Sequence, residues 1–170
     1  TLSHSSAASD VYKRQDFYEA IDSQIQQAVS ERPYFFSGYD CDSLALEGIT
    51  DFTKSFIDFF SQRTNATLEL RTKSVRIHSL LARTPLDNCV VAFSLTPSAI
   101  ADGLEVNTPP VTKRIEALGM LADRGWPIGL RFDPLLYHRN WRKNYRNLFK
   151  AVFTRPVSYT HLTLPTSVTV

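Results

Sequence analysis

Four apolar segments, each ending in a polar group, constrain this chain more than any other feature. Tyr34-Phe35-Phe36 breaks at Ser37-Gly38 into Tyr39-Asp40-Cys41-Asp42-Ser43, and the same grammar recurs at Leu68 to Lys73, Cys89 to Thr96 and Ile128 to Asp133. Segments of this length read as strands, and stretches of helical periodicity separate them. Parallel strands joined through helices need right-handed crossovers, and each strand then delivers its carboxyl end to one edge of the sheet. Four to five such units suit part of a (β/α) barrel or half of a doubly wound sheet, and both bind ligands at that edge.

The first helix is expected from Phe17, Ile21, Ile25, Ala28 and Val29 on one face, stopped by Pro33. After the strand from Tyr34 to Ser37, Asp42 or Ser43 is expected to cap a helix carrying Ile49, Phe52, Phe56, Phe59 and Phe60 on its core side. Thr67 to Lys73 alternates apolar and polar residues, as a strand near an edge or with one wet face would. A short helix around Val75 to Leu81 leads to Cys89-Val90-Val91-Ala92-Phe93, a continuous apolar run typical of a strand buried on both faces. Asn107-Thr108-Pro109-Pro110 opens a helix with Ile115, Leu118 and Leu121 as its stripe and Gly125 at its end. The fourth strand follows Trp126, and a last helix places Trp141, Tyr145, Leu148, Phe149 and Val152 on one side.

With 170 residues, 43% of them hydrophobic, the chain can form one domain with an ordinary core. A net charge of +2 permits a nucleic-acid partner without arguing for one. Cys41 and Cys89 are too few for a disulfide framework and match no zinc spacing, so reduced thiols and a cytoplasmic location are expected. No apolar run reaches the ~20 residues of a membrane helix, and no signal-peptide pattern opens the chain, so no membrane association is expected. Both termini look foreign to the fold. Ser5 to Gln15 ends in Asp-Val-Tyr-Lys-Arg-Gln, which looks like a translated sequencing adapter, and Val157-Ser158-Tyr159-Thr160-His161-Leu162 resembles a frame of its reverse complement. Residues 1–15 and 157–170 are therefore expected to be artefactual and to pack poorly, with 16–156 the genuine segment.

No Gly-rich phosphate loop, HExxH, nucleophile elbow or CxxC pair occurs. What remains is convergence: Asp40, Cys41, Asp42, Lys73, Ser94, Thr96 and Asp133 lie at or just beyond strand carboxyl ends. Carboxylates, an amine, hydroxyls and a thiol at one rim suit a zwitterionic, ribose-bearing ligand. The plainer reading of the same residues has Asp42 as a helix cap, Ser94 bonded to backbone and Lys73 solvated. Cys89 begins an apolar run and reads as a small buried hydrophobe. Cys41 sits between two carboxylates, which favour its neutral thiol; hydrogen-atom donation uses that form, whereas nucleophilic attack does not. Arg142, Lys143, Arg146 and Lys150 on the last helix could meet phosphates or form a solvated face. His78 and His138 have no partner at ligand spacing.

From about Tyr34 to Phe149 the chain resembles the spore photoproduct lyase family of radical S-adenosylmethionine enzymes. The resemblance runs through YDCDSLALEGIT, ELRTKS, VAFSL, TKRIEALGMLADRGWPIGLRFDPLLY and WRKNYRNLF. It implies an α/β fold, a partial (β/α) barrel of the radical S-adenosylmethionine type with about four parallel strands, and S-adenosylmethionine lying across the strand carboxyl ends. Lys73 matches a lysine that contacts the methionine moiety, and Ser94 matches the serine of the family's FSI/FSL segment, also a cofactor contact. Cys41 aligns with the serine of a CTSD segment, another cofactor contact, and Asp42 with the aspartate after it. The family's hydrogen-donating cysteine falls on Tyr39. Residues two apart in an extended segment share a face about 6 to 7 Å apart, which makes Cys41 a candidate catalytic donor in its place.

The resemblance also implies a [4Fe-4S] cluster held by a CxxxCxxC loop, which these 170 residues do not contain. The expectation is therefore a fragment with no metal ligands of its own, inactive alone. Its parent would be a lyase that repairs a methylene-bridged thymine dimer in DNA by radical reversal, served by an electron-donor protein. The departure at Tyr39 leaves a non-repair radical relative with another substrate as an alternative. From a different class, a non-catalytic nucleic-acid-binding module would rely on the Arg139 to Lys150 helix.

Overall fold

The computed structural model describes residues 5–28, 32–37, 41–154 and 161–163, with backbone alone at 5–14, 50 and 161–163. Five strands, β1 (Tyr34–Phe36), β2 (Thr67–Thr72), β3 (Cys89–Ser94), β4 (Ile128–Arg131) and β5 (His161–Thr163), form one sheet in the order β1-β2-β3-β4-β5. Every pairing is parallel. A strand order that follows the chain without reversal is the arc of a (β/α) barrel; a doubly wound sheet would reverse at a switch point. Four of the strands are those expected. The fifth lies inside the 157–170 tail, so the backbone of His161–Thr163 belongs to the sheet instead of hanging off it.

The connections are helical: α1 (Ser5–Gln27) precedes β1, α2 (Glu47–Thr50) and α3 (Phe52–Ser61) join β1 to β2, and α4 (His78–Leu81) joins β2 to β3. Between β3 and β4 run α5 (Ser98–Leu104) and α6 (Val111–Arg124), and α7 (Trp141–Phe153) follows β4. Parallel-strand partners share a face, and here the two faces divide by chemistry. Leu68, Leu70, Val91, Phe93, Ile128, Leu130 and Phe132 are buried on the face the helices cover, where Phe35 meets Phe60 and Phe132 meets Phe149 at ring-centroid distances of 5.7 and 5.0 Å. The opposite face carries Phe36, Glu69, Val90, Arg71, Ala92, Gly129, Ser94 and Arg131. Glycine is required at 129, since a Cβ there would stand 2.9 Å from the Ala92 Cβ and 3.2 Å from its Cα.

Three expectations are corrected. The helix read from Ile49 through Phe60 is two helices, because Asp51 adopts a left-handed φ of 47° between them; this turns Ile49 out to 80% exposure. The Glu47 carboxylate, buried, accepts from the Thr53 N–H and hydroxyl and satisfies the start of α3. Asp42 and Ser43 cap neither helix: Asp42 Oδ1 accepts from Leu44 N and Ala45 N within the turn, both at 2.9 Å. Finally, β2 is next to the edge strand, as expected, but its polar face is largely buried and the strand meets solvent only where Arg71 and Thr72 line a cleft. It lies between β1 and β3, and its polar residue Glu69 is buried among ion partners instead of facing solvent.

Elsewhere the apolar patterns hold. Ile21 and Ile25 of α1 are buried, Tyr18 stacks on Phe59 with centroids 4.2 Å apart, and Asp22 pairs with Arg63. Phe17, expected on the same face, is 55% exposed, and Val29 lies outside the described residues. In α6, Leu118 and Leu121 are buried, and Gly125 ends the helix with a left-handed φ of 101° that glycine adopts without strain. Tyr145, Leu148 and Val152 anchor α7. Asn88, buried at the amino end of β3, donates to the carbonyls of Phe60, Arg63 and Ala66, which fixes the turn leading into β2. No helix among the described residues is long and apolar enough to cross a membrane.

Candidate functional site

At the carboxyl edge of the sheet, Cys41, Asp42, Arg71, Thr72, Lys73, Ser94, Asp133 and Pro134 line an open cleft of about 450 Å³. That volume is within the usual range for a small-molecule site. The loop after β1 forms one wall because it is fastened to β2: Ser43 N donates to the Arg71 carbonyl at 2.9 Å, and the Ser37 and Ser43 hydroxyls meet. Asp42 is the clasp. Its Oδ1 accepts from the Thr72 hydroxyl at 2.7 Å as well as from the two turn amides, and its Oδ2 accepts from Lys73 N at 2.6 Å. Holding this loop down leaves Cys41 exposed on the cleft wall.

Across the cleft, Lys73 Nζ lies 2.8 Å from Glu105 Oε1. Glu105 also receives the Thr96 hydroxyl at 3.1 Å and the Arg114 guanidinium. Arg114 is 1% exposed and fully engaged: Nε donates to the Pro109 carbonyl at 2.9 Å, Nη1 to the Ser94 carbonyl at 3.2 Å, and Nη2 to Glu105 and the Thr108 hydroxyl. Burial raises the Glu105 carboxyl, but the hydrogen bonds and charges of Lys73 and Arg114 outweigh it and hold the group below its ordinary range. This network fixes the ends of β2 and β3 relative to each other, and hence Lys73 relative to Ser94.

The cleft floor is ionic. Glu69, 1% exposed, accepts from Arg131 Nε at 2.9 Å, from Arg131 Nη2, and from the Tyr34 hydroxyl at 2.7 Å. Burial, then the bond to Glu69, pushes the Tyr34 phenol above its ordinary range. Arg71 reaches the same carboxylate only at 3.6 Å. The guanidinium carbons of Arg131 and Arg71 stand 5.3 and 5.9 Å from the Phe36 ring centroid.

Of the residues singled out from sequence, Cys41, Asp42, Lys73, Ser94 and Asp133 thus share one cavity. Thr96 is turned to Glu105 and does not line it, and Tyr39 and Asp40 lie outside the described residues. Cys89 is fully buried on the helix-covered face, where burial pushes its thiol up to about 12. Glu69, Arg71, Arg131, Glu105 and Arg114 were not singled out. The first three were visible as charged residues at alternate positions of strands; Glu105 and Arg114 gave no signal, since one lies between helices and the other on a helix face that periodicity reads as polar. Among the described residues no group of His, Cys, Asp or Glu is arranged to hold a metal ion. Beyond β4, a second recess of about 420 Å³ is lined by Tyr137, Arg139, Asn140, Trp141, Arg142 and Lys143, aromatic and cationic without an acid.

A family model described as spore photoproduct lyase matches residues 10–164. Spore photoproduct lyase of Bacillus subtilis (strain 168) is 26% identical over 138 residues, covering 81% of this chain and 40% of that protein. The Clostridium acetobutylicum enzyme of the same name is 25% identical over 109 residues, covering 64% of this chain and 32% of that protein. Among solved structures, a spore photoproduct lyase variant with bound AdoMet and dinucleoside spore photoproduct superposes with a TM-score of 0.73, and a variant with the dinucleoside alone with 0.76. Each is 21% identical and is covered to 41% of its length, so the likeness is one of fold. The chain spans about 40% of the length of the Bacillus relative.

Proposed function

The chain belongs to the spore photoproduct lyase family, and from that premise we propose that it forms the S-adenosylmethionine-binding part of a radical lyase that repairs a methylene-bridged thymine dimer in DNA. The observation that carries this reading is the convergence of Cys41, Asp42, Lys73, Ser94 and Asp133 on one cleft at the strand carboxyl ends. Charges of both signs, a hydroxyl and a thiol in a space of about 450 Å³ suit a zwitterionic nucleoside. When bound and cleaved by one-electron reduction, S-adenosylmethionine would supply hydrogen-atom abstraction from the lesion, and this chain's residues would bind and orient it. Lys73 would contact the methionine moiety and Ser94 the cofactor, Asp42 holds the Cys41 loop closed over β2, and Cys41 would serve as cofactor contact and as hydrogen-atom donor to the product radical. The Lys73–Glu105 pair, with the Lys73 side chain 39% exposed, is worth at most about 1 kcal/mol, so Lys73 remains free to turn toward a ligand.

The iron–sulfur cluster fits this chain poorly. Its thiolate ligands number three or four, whereas the sequence holds two cysteines, of which Cys89 is buried on the far face of β3. We therefore assign the cluster, the electron-donor contact and turnover to a longer polypeptide, and to this segment, with residues 16–156 as its genuine part, cofactor binding without turnover. The recess of Tyr137, Trp141, Arg139, Arg142 and Lys143 supports a nucleic-acid substrate through phosphate contact and base stacking. A soluble, cytoplasmic setting accords with DNA as substrate. Calorimetric titration of S-adenosylmethionine is the test: saturable one-to-one binding, weakened at least several-fold by Ser94→Val, is expected, and no saturable binding by the folded chain sinks the reading.

A further inference from the structure

The floor of the cleft holds one positive charge more than its acids can pair. Arg71 and Arg131 share a single carboxylate, Glu69, and Arg131 takes it with two hydrogen bonds, one of them 2.9 Å long, alongside the Tyr34 hydroxyl. Arg71 stands off at 3.6 Å, beyond hydrogen bonding, and its Nε is buried without a hydrogen-bond partner. The other acids lining or adjoining the cleft do not relieve it. Asp42 is engaged by four donors, Glu105 is paired with Lys73 and Arg114, and Asp133 makes no ion pair with Arg71 among the described residues. The Arg71 side chain is 19% exposed and lines the cleft. A guanidinium cannot shed its proton to escape this position, and its planar fork matches a two-oxygen anion.

We propose that Arg71 is the oxyanion-binding residue of the cleft, taking a carboxylate or a phosphodiester through its fork, while the more exposed Lys73, which shares Glu105 with Arg114, makes the smaller contribution to anion selectivity. The proposal rests on the reading of the cleft as an S-adenosylmethionine site but reaches past it, since that reading assigned the methionine moiety to Lys73 and gave Arg71 no part. Two sources could supply the anion: the carboxylate of the methionine moiety, or the phosphodiester of a substrate dinucleotide.

Calorimetry with three probes separates the cases: S-adenosylmethionine, its decarboxylated analogue, and thymidylyl-thymidine. If the carboxylate is the anion, wild type prefers S-adenosylmethionine to the decarboxylated analogue by about tenfold or more, the scale of one charge-assisted contact. Arg71→Gln then abolishes the preference while keeping affinity for the analogue, which also certifies that the cleft is folded. Arg71→Lys keeps part of the preference, and Lys73→Gln lowers it by less than Arg71→Gln does. If the phosphodiester is the anion, Arg71→Gln weakens thymidylyl-thymidine alone. An undiminished preference in Arg71→Gln together with unchanged dinucleotide binding overturns the proposal and leaves the adenosyl reading intact. Wild-type binding of none of the three overturns both, whereas dinucleotide binding alone, lost in Arg71→Gln, overturns only the adenosyl reading.

Discussion

Replacing Glu69 by glutamine probes the ionic floor on which the cleft rests. Glu69 is 1% exposed and supplies, among the described residues, the carboxylate paired with Arg131, whose side chain is 11% exposed, and the acceptor for the Tyr34 hydroxyl. Glutamine keeps the volume and one acceptor oxygen, but its amide presents N–H donors where Arg131 also presents donors. Removing one partner of a buried pair costs about 3–5 kcal/mol because the remaining charge stays desolvated. The retained oxygen puts Glu69→Gln at the lower end, about 3 kcal/mol, and Glu69→Leu, which leaves no acceptor, nearer 5. For a chain of this size 3 kcal/mol lowers the melting temperature by roughly 6–12 °C. Urea unfolding at pH 7, followed by the fluorescence of Trp126 and Trp141, measures the difference provided the slope m is unchanged. Adding Arg131→Met to Glu69→Leu removes the stranded charge and recovers about 1–3 kcal/mol, though Arg71 limits the rescue. A loss below about 1 kcal/mol for Glu69→Gln, or strict additivity of the two changes, would show that solvent reaches the floor and would refute the argument.

Two further outcomes follow from burial and charge. Iodoacetamide at pH 8 should modify one thiol per folded chain, at Cys41, because burial pushes the Cys89 thiol up to about 12; labelling at both positions before unfolding contradicts the placement of β3. Glu105 has a lowered folded value, so its contribution to stability is fully present above the ordinary 4.5 and is lost as the pH falls through the folded value. The stability gap between wild type and Glu105→Gln should therefore hold steady from pH 7 to about 5 and narrow below that; a gap that widens on acidification counts against the Lys73–Glu105–Arg114 network.

The strands were legible because apolar runs and their polar exits depend on local sequence, and the continuous run at Cys89–Phe93 is buried on both faces as a parallel strand should be. The convergence of Cys41, Lys73, Ser94 and Asp133 followed from topology alone, since parallel strands bring their carboxyl ends to one edge. The rest depended on pairings that no periodicity encodes. Glu69 and Arg131 are 62 positions apart, and alternation at Glu69 and Arg71 looks the same whether the polar face meets water or a partner strand's guanidinium. Arg114 sits on α6 as any surface arginine would, yet its reach to Ser94 and Glu105 buries it completely. The break at Asp51 was hidden because the aromatic stripe continues through it and only the backbone conformation interrupts the helix.

The rate of Cys41 alkylation with and without S-adenosylmethionine tests most directly whether the cleft is the cofactor site. Cys41 is exposed on the cleft wall, so a ligand seated against Lys73 and Ser94 covers it. At a ligand concentration ten times the dissociation constant, the rate should fall about tenfold by mass action, while adenosine-free methionine leaves it unchanged. Saturable binding of S-adenosylmethionine with no protection of Cys41 would place the ligand elsewhere and contradict the account.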